Sequence, residues 1–216
     1  MLDPSVAAFY RSQAKTAMAQ LARRNISSSY CAGSEEAVQT VLNLIPDGAS
    51  VMAGSSTTME QAGLETALKA ATRFDYMRTR VRAHSDPEVR NEARRHSTVA
   101  DFYLGSVSAI TMAGELVCAD ASGNRVAGFA FGGKKVIVVA GVNKIVNTLE
   151  EGIARTRRAA VQEAHRLDKH PPCLPDGICR NDECLPPNRE CGKLLIIEMD
   201  VPGRIHLVLI EDILGF

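Results

Sequence analysis

The sequence predicts an α/β protein built on a mainly parallel sheet, on three observations. Short apolar strands alternate with helical stretches along most of the chain, the pattern of strand–helix–strand units. The run "KKVIVVAG" at 134–141 is β-branched and nearly uninterrupted, as a strand covered on both faces must be. A chain of 216 residues is the length of one ordinary α/β domain and can bury a real core. A single domain over 1–216 is therefore expected, with a Pro/Cys-rich excursion at 170–192.

Asp3 before Pro4 reads as a helix cap followed by a proline at the first helical position, opening a helix to about Arg24. Ser34, Glu35 and Glu36 open a second helix to about Ile45: a hydroxyl suits the free amides and the acids suit the positive end of the dipole. "PDG" at 46–48 stops it in a turn. "ASVMAG" from Ala49 is a short strand, "GSSTT" a loop, and "MEQAGLETALKAAT" a helix. A strand near "FDYM", a charged helix across "DPEVRNEARRHSTV" and an apolar run from Asp101 to Gly105 repeat the alternation. Gly114 and Ser122-Gly123-Asn124 mark turns around short strands or a hairpin. After the strand ending at Gly141, a long helix runs from about Thr148 to Leu167. "KLLIIEMD" and "RIHLVLIE" close the chain as strands, paired as a hairpin across "VPGR".

Lys plus Arg and Asp plus Glu are both 25, so the net charge is zero and nothing marks a nucleic-acid or membrane-surface protein. No stretch approaches the roughly 18–20 apolar residues of a membrane helix, and the first residues lack a signal-peptide pattern. A soluble cytoplasmic protein is the expectation. In that compartment cysteines are reduced thiols or metal ligands before they are disulfides.

In open parallel sheets ligands bind beyond the carboxyl ends of the strands, where loops converge. Asn143 and Lys144 follow one such end. Gly54, Ser55, Ser56 and Thr57 follow another, small enough for an anion to approach the backbone and bearing hydroxyl donors. Asn124 and Arg125 follow a glycine turn, and the guanidinium can fork onto a carboxylate or phosphate. The plainer alternatives are a capped helix start, a solvated turn and a structural arginine. Arg155, Arg157 and Arg158 read as a solvated helix face, and the five histidines as surface or locally packed residues.

"VMAGSSTTMEQAGL", "DFYLGSVSAITMAGELVCADASGNRVAGFAFGGKKVIVVAGVNKIV", the spaced C-terminal cysteines and "RIHLVLIEDILGF" together resemble the LUD (lactate utilization) family, LutC/YkgG type, from about Tyr10 to Phe216. The resemblance implies a three-layer α/β fold similar to sugar-phosphate isomerases and deaminases and to CoA transferases. It also implies a role linked to oxidation of L-lactate, alongside iron–sulfur partner proteins. By likeness to the sugar-phosphate enzymes, Gly54–Thr57 would hold a phosphate, while Asp120, Glu115 and Lys144 would be the acid–base groups. Glu115 can equally be a hairpin-turn acid, and Asp120 can simply shape its turn. Two functions are compatible: a protein binding a small anionic or phosphorylated ligand, or a non-catalytic assembly or regulatory subunit of an iron–sulfur oxidoreductase complex. Apolar residues in the last strands suit either a homodimer surface or the core.

Cys173, Cys179, Cys184 and Cys191 are spaced C-x5-C-x4-C-x6-C. Four thiolates can hold zinc or an iron–sulfur cluster, although the strong signatures pair two cysteines across two residues. Free thiols are the alternative, since the prolines around them stiffen the loop by themselves.

Overall fold

The computed structural model describes residues 2–216. Helix α1 (Pro4–Arg23) starts where the sequence predicts, with the Asp3 carboxylate accepting from the Ser5 N–H at 2.9 Å. Strand β1 (Ser27–Cys31) follows; its "SSSYC" sequence lacks an apolar alternation and gives no strand signal. Helix α2 (Ser34–Leu44) has Gly33, not Ser34, at its cap, and Glu36 reaches back to the Ala32 N–H at 2.7 Å.

Strand β2 (Ser50–Ala53) leads into α3 (Thr57–Gln61) and α4 (Leu64–Ala70). The single helix expected here is divided because Gly63 lies at φ 74°, a left-handed conformation that ends α3 after little more than one turn. Strand β3 (Asp75–Tyr76) is only two residues long and runs directly into α5 (Met77–Ala83). The charged helix is α6 (Pro87–His96), capped by Asp86. Strands β4 (Phe102–Gly105), β5 (Ala109–Thr111) and β6 (Leu116–Asp120) precede a short helical turn, α7 (Asn124–Ala127). Strand β7 (Lys135–Gly141), the two-residue β8 (Ile145–Val146) and the long helix α8 (Leu149–Arg166) come next. Strands β9 (Lys193–Ile197) and β10 (Ile205–Ile210) complete the fold.

Six strands form a fully parallel sheet in the order β1-β10-β7-β4-β2-β3. Its side chains alternate between two cores. Val51, Leu104, Ile137, Val139, Val208 and Ile210 face the layer carrying α2, α3 and α4. Met52, Tyr103, Val136, Val138, Leu207 and Leu209 face the layer carrying α1 and a second, four-stranded sheet, β8-β5-β6-β9. The result is the expected three-layer α/β arrangement with a mainly parallel central sheet. Helix α8 covers the outer face of the small sheet, where Gly152 would place a Cβ 3.3 Å from Val117 and 3.4 Å from Ala109.

The expected β9–β10 hairpin does not form. Strand β9 pairs antiparallel with β6 in the small sheet, whereas β10 lies between β1 and β7 in the large one. Burial explains the separation: β10 is covered at five of its six residues, as a central strand must be, while β9 exposes Lys193 and Leu194 in the manner of an edge strand. The chain also passes from the large sheet to the small one at Val142–Lys144, one 3₁₀ turn between β7 and β8.

Candidate functional site

A cavity of about 340 Å³ opens where the carboxyl ends of β2, β4 and β7 meet the end of β6 and one flank of α8. Its floor is a contact between three strand ends. The Lys144 amine donates to the Thr58 hydroxyl at 2.7 Å and to the Ser106 hydroxyl at 2.8 Å, and those hydroxyls are 3.3 Å apart. All three side chains are buried, Lys144 to 3 % exposure. No carboxylate pairs with Lys144 among the described residues. Burial drives its amine well below the ordinary lysine pKa, and the positive charges of Arg155 and Arg125 push it further in the same direction.

Arg125 lies above this floor with its stem across two strand ends. A Cβ on Gly105 would meet the Arg125 Cδ at 3.4 Å and the Phe129 ring at 3.0 Å, and one on Gly54 would meet the same Cδ at 3.6 Å. Glycine at 105 thus leaves the space through which Arg125 crosses the rim. The guanidinium donates to the main-chain carbonyls of Ala119 and Ser106, while its buried Nε–H has no partner. The Thr57 hydroxyl, also on the lining, is a second buried polar atom without one.

Asp120 lines the cavity, but its carboxylate accepts the N–H groups of Arg125 (2.8 Å) and Val126 (3.4 Å), fixing the turn that starts α7. Asn124 lines it as well and is held in place: its side-chain oxygen accepts from Arg94 and Ser122, and its amide donates to the Tyr103 hydroxyl at 3.2 Å. Gly123, at φ 93°, supplies the left-handed residue that this turn requires. The remaining acids of the lining are paired, Glu163 with Arg166 and Glu190 with Lys169. Lys144, Arg125 and Arg94 are the cations whose partners are all neutral.

Of the sequence-predicted site residues, Ser55, Ser56, Thr57, Asn124, Arg125, Lys144 and Asp120 line this one cavity. Three stand elsewhere. Gly54 contacts the Arg125 stem instead of the opening. Asn143, adjacent to Lys144, turns its side-chain oxygen to the Leu214 N–H at 3.2 Å and ties the C-terminal segment across the rim. Glu115 precedes the first residue of β6, at the other end of the strand from Asp120, where it pairs with Arg24 at 3.1 Å and bonds Thr111. Ser56 accepts from the Met59 N–H at 3.3 Å, so its hydroxyl serves as the α3 cap.

Sequence reasoning missed Thr58, Ser106 and Arg155. Ser106 directly follows the end of β4, and the strand-end rule applied there would have found it. Arg155 is not on a solvated face: it is half-buried and donates to the carbonyls of Ser108 and Phe216. Burial lowers its pKa from the usual arginine value, and Arg158 adds to the effect. The four clustered cysteines are away from this floor, around a separate small cavity against α8.

Fold and site together define a class: a three-layer α/β protein with a cation-lined cavity at the carboxyl edge of a parallel sheet. Residues 14–210 match the LUD domain, so the chain belongs to the LUD domain family, which is associated with lactate utilization. A crystal structure of a DUF162 family protein from Deinococcus radiodurans is similar, with a TM-score of 0.55 over 93 % of this chain and 98 % of that one. At 12 % identity that likeness is one of fold. No curated protein matches the chain. No helix among the described residues is long and apolar enough to cross a membrane.

Proposed function

We propose that this is a lactate-utilization protein of the LutC/YkgG type whose cavity binds a small carboxylate or phosphorylated compound, in a role linked to oxidation of L-lactate. The observation that carries the reading is Lys144, a buried amine at the cavity floor with two hydroxyl partners and no carboxylate. Structural lysines avoid such places, because an unpaired buried ammonium costs several kcal/mol. An incoming anion supplies the missing partner, and the free Arg125 Nε–H is a second donor to it. The volume, about 340 Å³, falls at the small end of ordinary ligand sites.

A buried amine held well below the ordinary lysine pKa between two hydroxyls is also suited to proton transfer. Lys144 takes a proton from a bound ligand, or donates one once the anion has charged it, while Ser106 and Thr58 hold its position. Asp120 is committed to main-chain N–H groups and serves to fix Arg125 in place. Glu115 has no part in this chemistry.

Thermal-shift and calorimetric titration with lactate, pyruvate, inorganic phosphate, sugar phosphates and CoA tests the reading. At least one should stabilise the protein, and Lys144→Met should abolish the effect. If none does, the alternative of an assembly or regulatory subunit on an iron–sulfur oxidoreductase gains, and the cavity is not a ligand site.

A further inference from the structure

Between α8 and β9 the chain makes a long excursion at 170–192 whose regular structure is one 3₁₀ turn, Asn181–Glu183. Only Pro171 and Cys184 are buried within it. So little burial cannot by itself hold an irregular segment in one conformation, and short segments of this kind are ordinarily stapled by disulfides or metals. All four cysteines here carry free thiols.

Cys173, Cys179, Cys184 and Cys191 line one cavity of about 30 Å³ closed on its far side by α8. That is more than the roughly 10–15 Å³ a single water needs. Positive groups stand beside the cluster: Arg157 lines the same cavity, and Arg189 donates to the Cys184 carbonyl at 3.2 Å while its buried Nε–H has no partner. An arginine N–H beside a cysteine segment is the kind of outer-shell donor that metal–thiolate centres use.

We infer that Cys173, Cys179, Cys184 and Cys191 form a four-thiolate centre for a thiophilic metal, either one zinc ion or iron with inorganic sulfide. Among the described residues no group of three or more His, Cys, Asp or Glu side chains is already arranged to hold a metal ion. Occupancy therefore draws the thiols inward, since zinc–sulfur bonds are about 2.3 Å long. Cys179, the exposed one of the four, has the freedom to close over the metal. The centre would pin the segment to α8 and fix Glu190, which lines both this cavity and the larger one. It does not depend on what the larger cavity binds.

The test is metal and acid-labile sulfide content, with the visible spectrum, of the full chain purified without oxygen from metal-replete cells. One zinc per chain, or iron with matching sulfide and a brown colour, supports the centre and separates its two forms. Cys173→Ser and Cys191→Ser should each lower the metal content at least tenfold. Should those variants fail to fold, alkylation of the unaltered protein decides: metal should slow the labelling of Cys179 at least tenfold, with release on chelation. Metal-free protein that takes up neither zinc nor iron and sulfide, or that holds these cysteines as disulfides under reducing conditions, overturns the inference.

Discussion

The rim of the six-stranded sheet and the cysteine segment both gather polar side chains around a cavity, but they hold them by different means. At the rim, Thr58, Ser106 and Lys144 are positioned from beneath by two apolar cores and from the side by main-chain contacts such as the buried Arg78 guanidinium on the Ala53 carbonyl, at 2.7 Å. The cysteine segment has hardly any buried apolar residues, and arginine side chains tie it together, Arg180 to the Pro172 carbonyl and Arg189 to that of Cys184. Packing can hold an amine in an unfavourable protonation state because the whole domain opposes its escape. A loop without a core requires a bond-like staple to keep its cysteines together.

The largest effect expected from this contrast is on stability. Leu207, fully buried in the central strand β10, should cost about 2–5 kcal/mol when changed to Ala. Leu185, 68 % exposed in the cysteine segment, should cost no more than about 0.5 kcal/mol. Denaturant unfolding of the two variants measures both, and equal losses would erase the distinction.

Next in size is ligand binding at the rim. Lys144→Met should abolish binding of the anion found by titration while keeping or raising the melting temperature, since it removes a buried amine that lacks a charged partner. Arg125→Ala should weaken binding by about 1.5–3 kcal/mol, the range for hydrogen bonds to a charged group and about ten- to hundredfold in affinity.

The pH dependence has a definite sign. Lys144 has a lowered pKa in the folded protein, so between that lowered value and the ordinary lysine value of 10.5 the unfolded chain binds more protons than the folded one. Stability should therefore rise as pH increases toward that value, and Lys144→Met should flatten the rise. Anion affinity should move the opposite way, strengthening as pH falls, because the anion favours the charged amine. The smallest effect is that of Glu115→Gln. Losing its partly exposed pair with Arg24 should cost at most about 1 kcal/mol and leave anion binding unchanged.

How much was legible in the sequence follows the same division. Strands β2, β4, β7 and β10 announced themselves by apolar composition, and α1 by its Asp3-Pro4 cap, because in these elements local preference and burial agree. Strand β1 was invisible because an edge strand of serines needs little hydrophobic signal. The false β9–β10 hairpin arose because adjacency in sequence suggests pairing, whereas burial sent the two strands to different sheets. At the site, the strand-end rule located Lys144 and the serine loop and the glycine turn located Arg125, but neither could say which neighbour faces the cavity. Asn143 and Lys144 are consecutive, yet one ties down the chain terminus and the other forms the floor. Arg155 was misread because helix periodicity does not show that the C-terminal segment lies against it.

The protonation state of one side chain is the most direct check of the account. Titration of the lysine amines by nuclear magnetic resonance, with Lys144→Met to assign the signal, should show one amine losing its proton far below the others and recovering it when the bound anion is added. All amines titrating together near the ordinary lysine value, with no response to any anion, would contradict it.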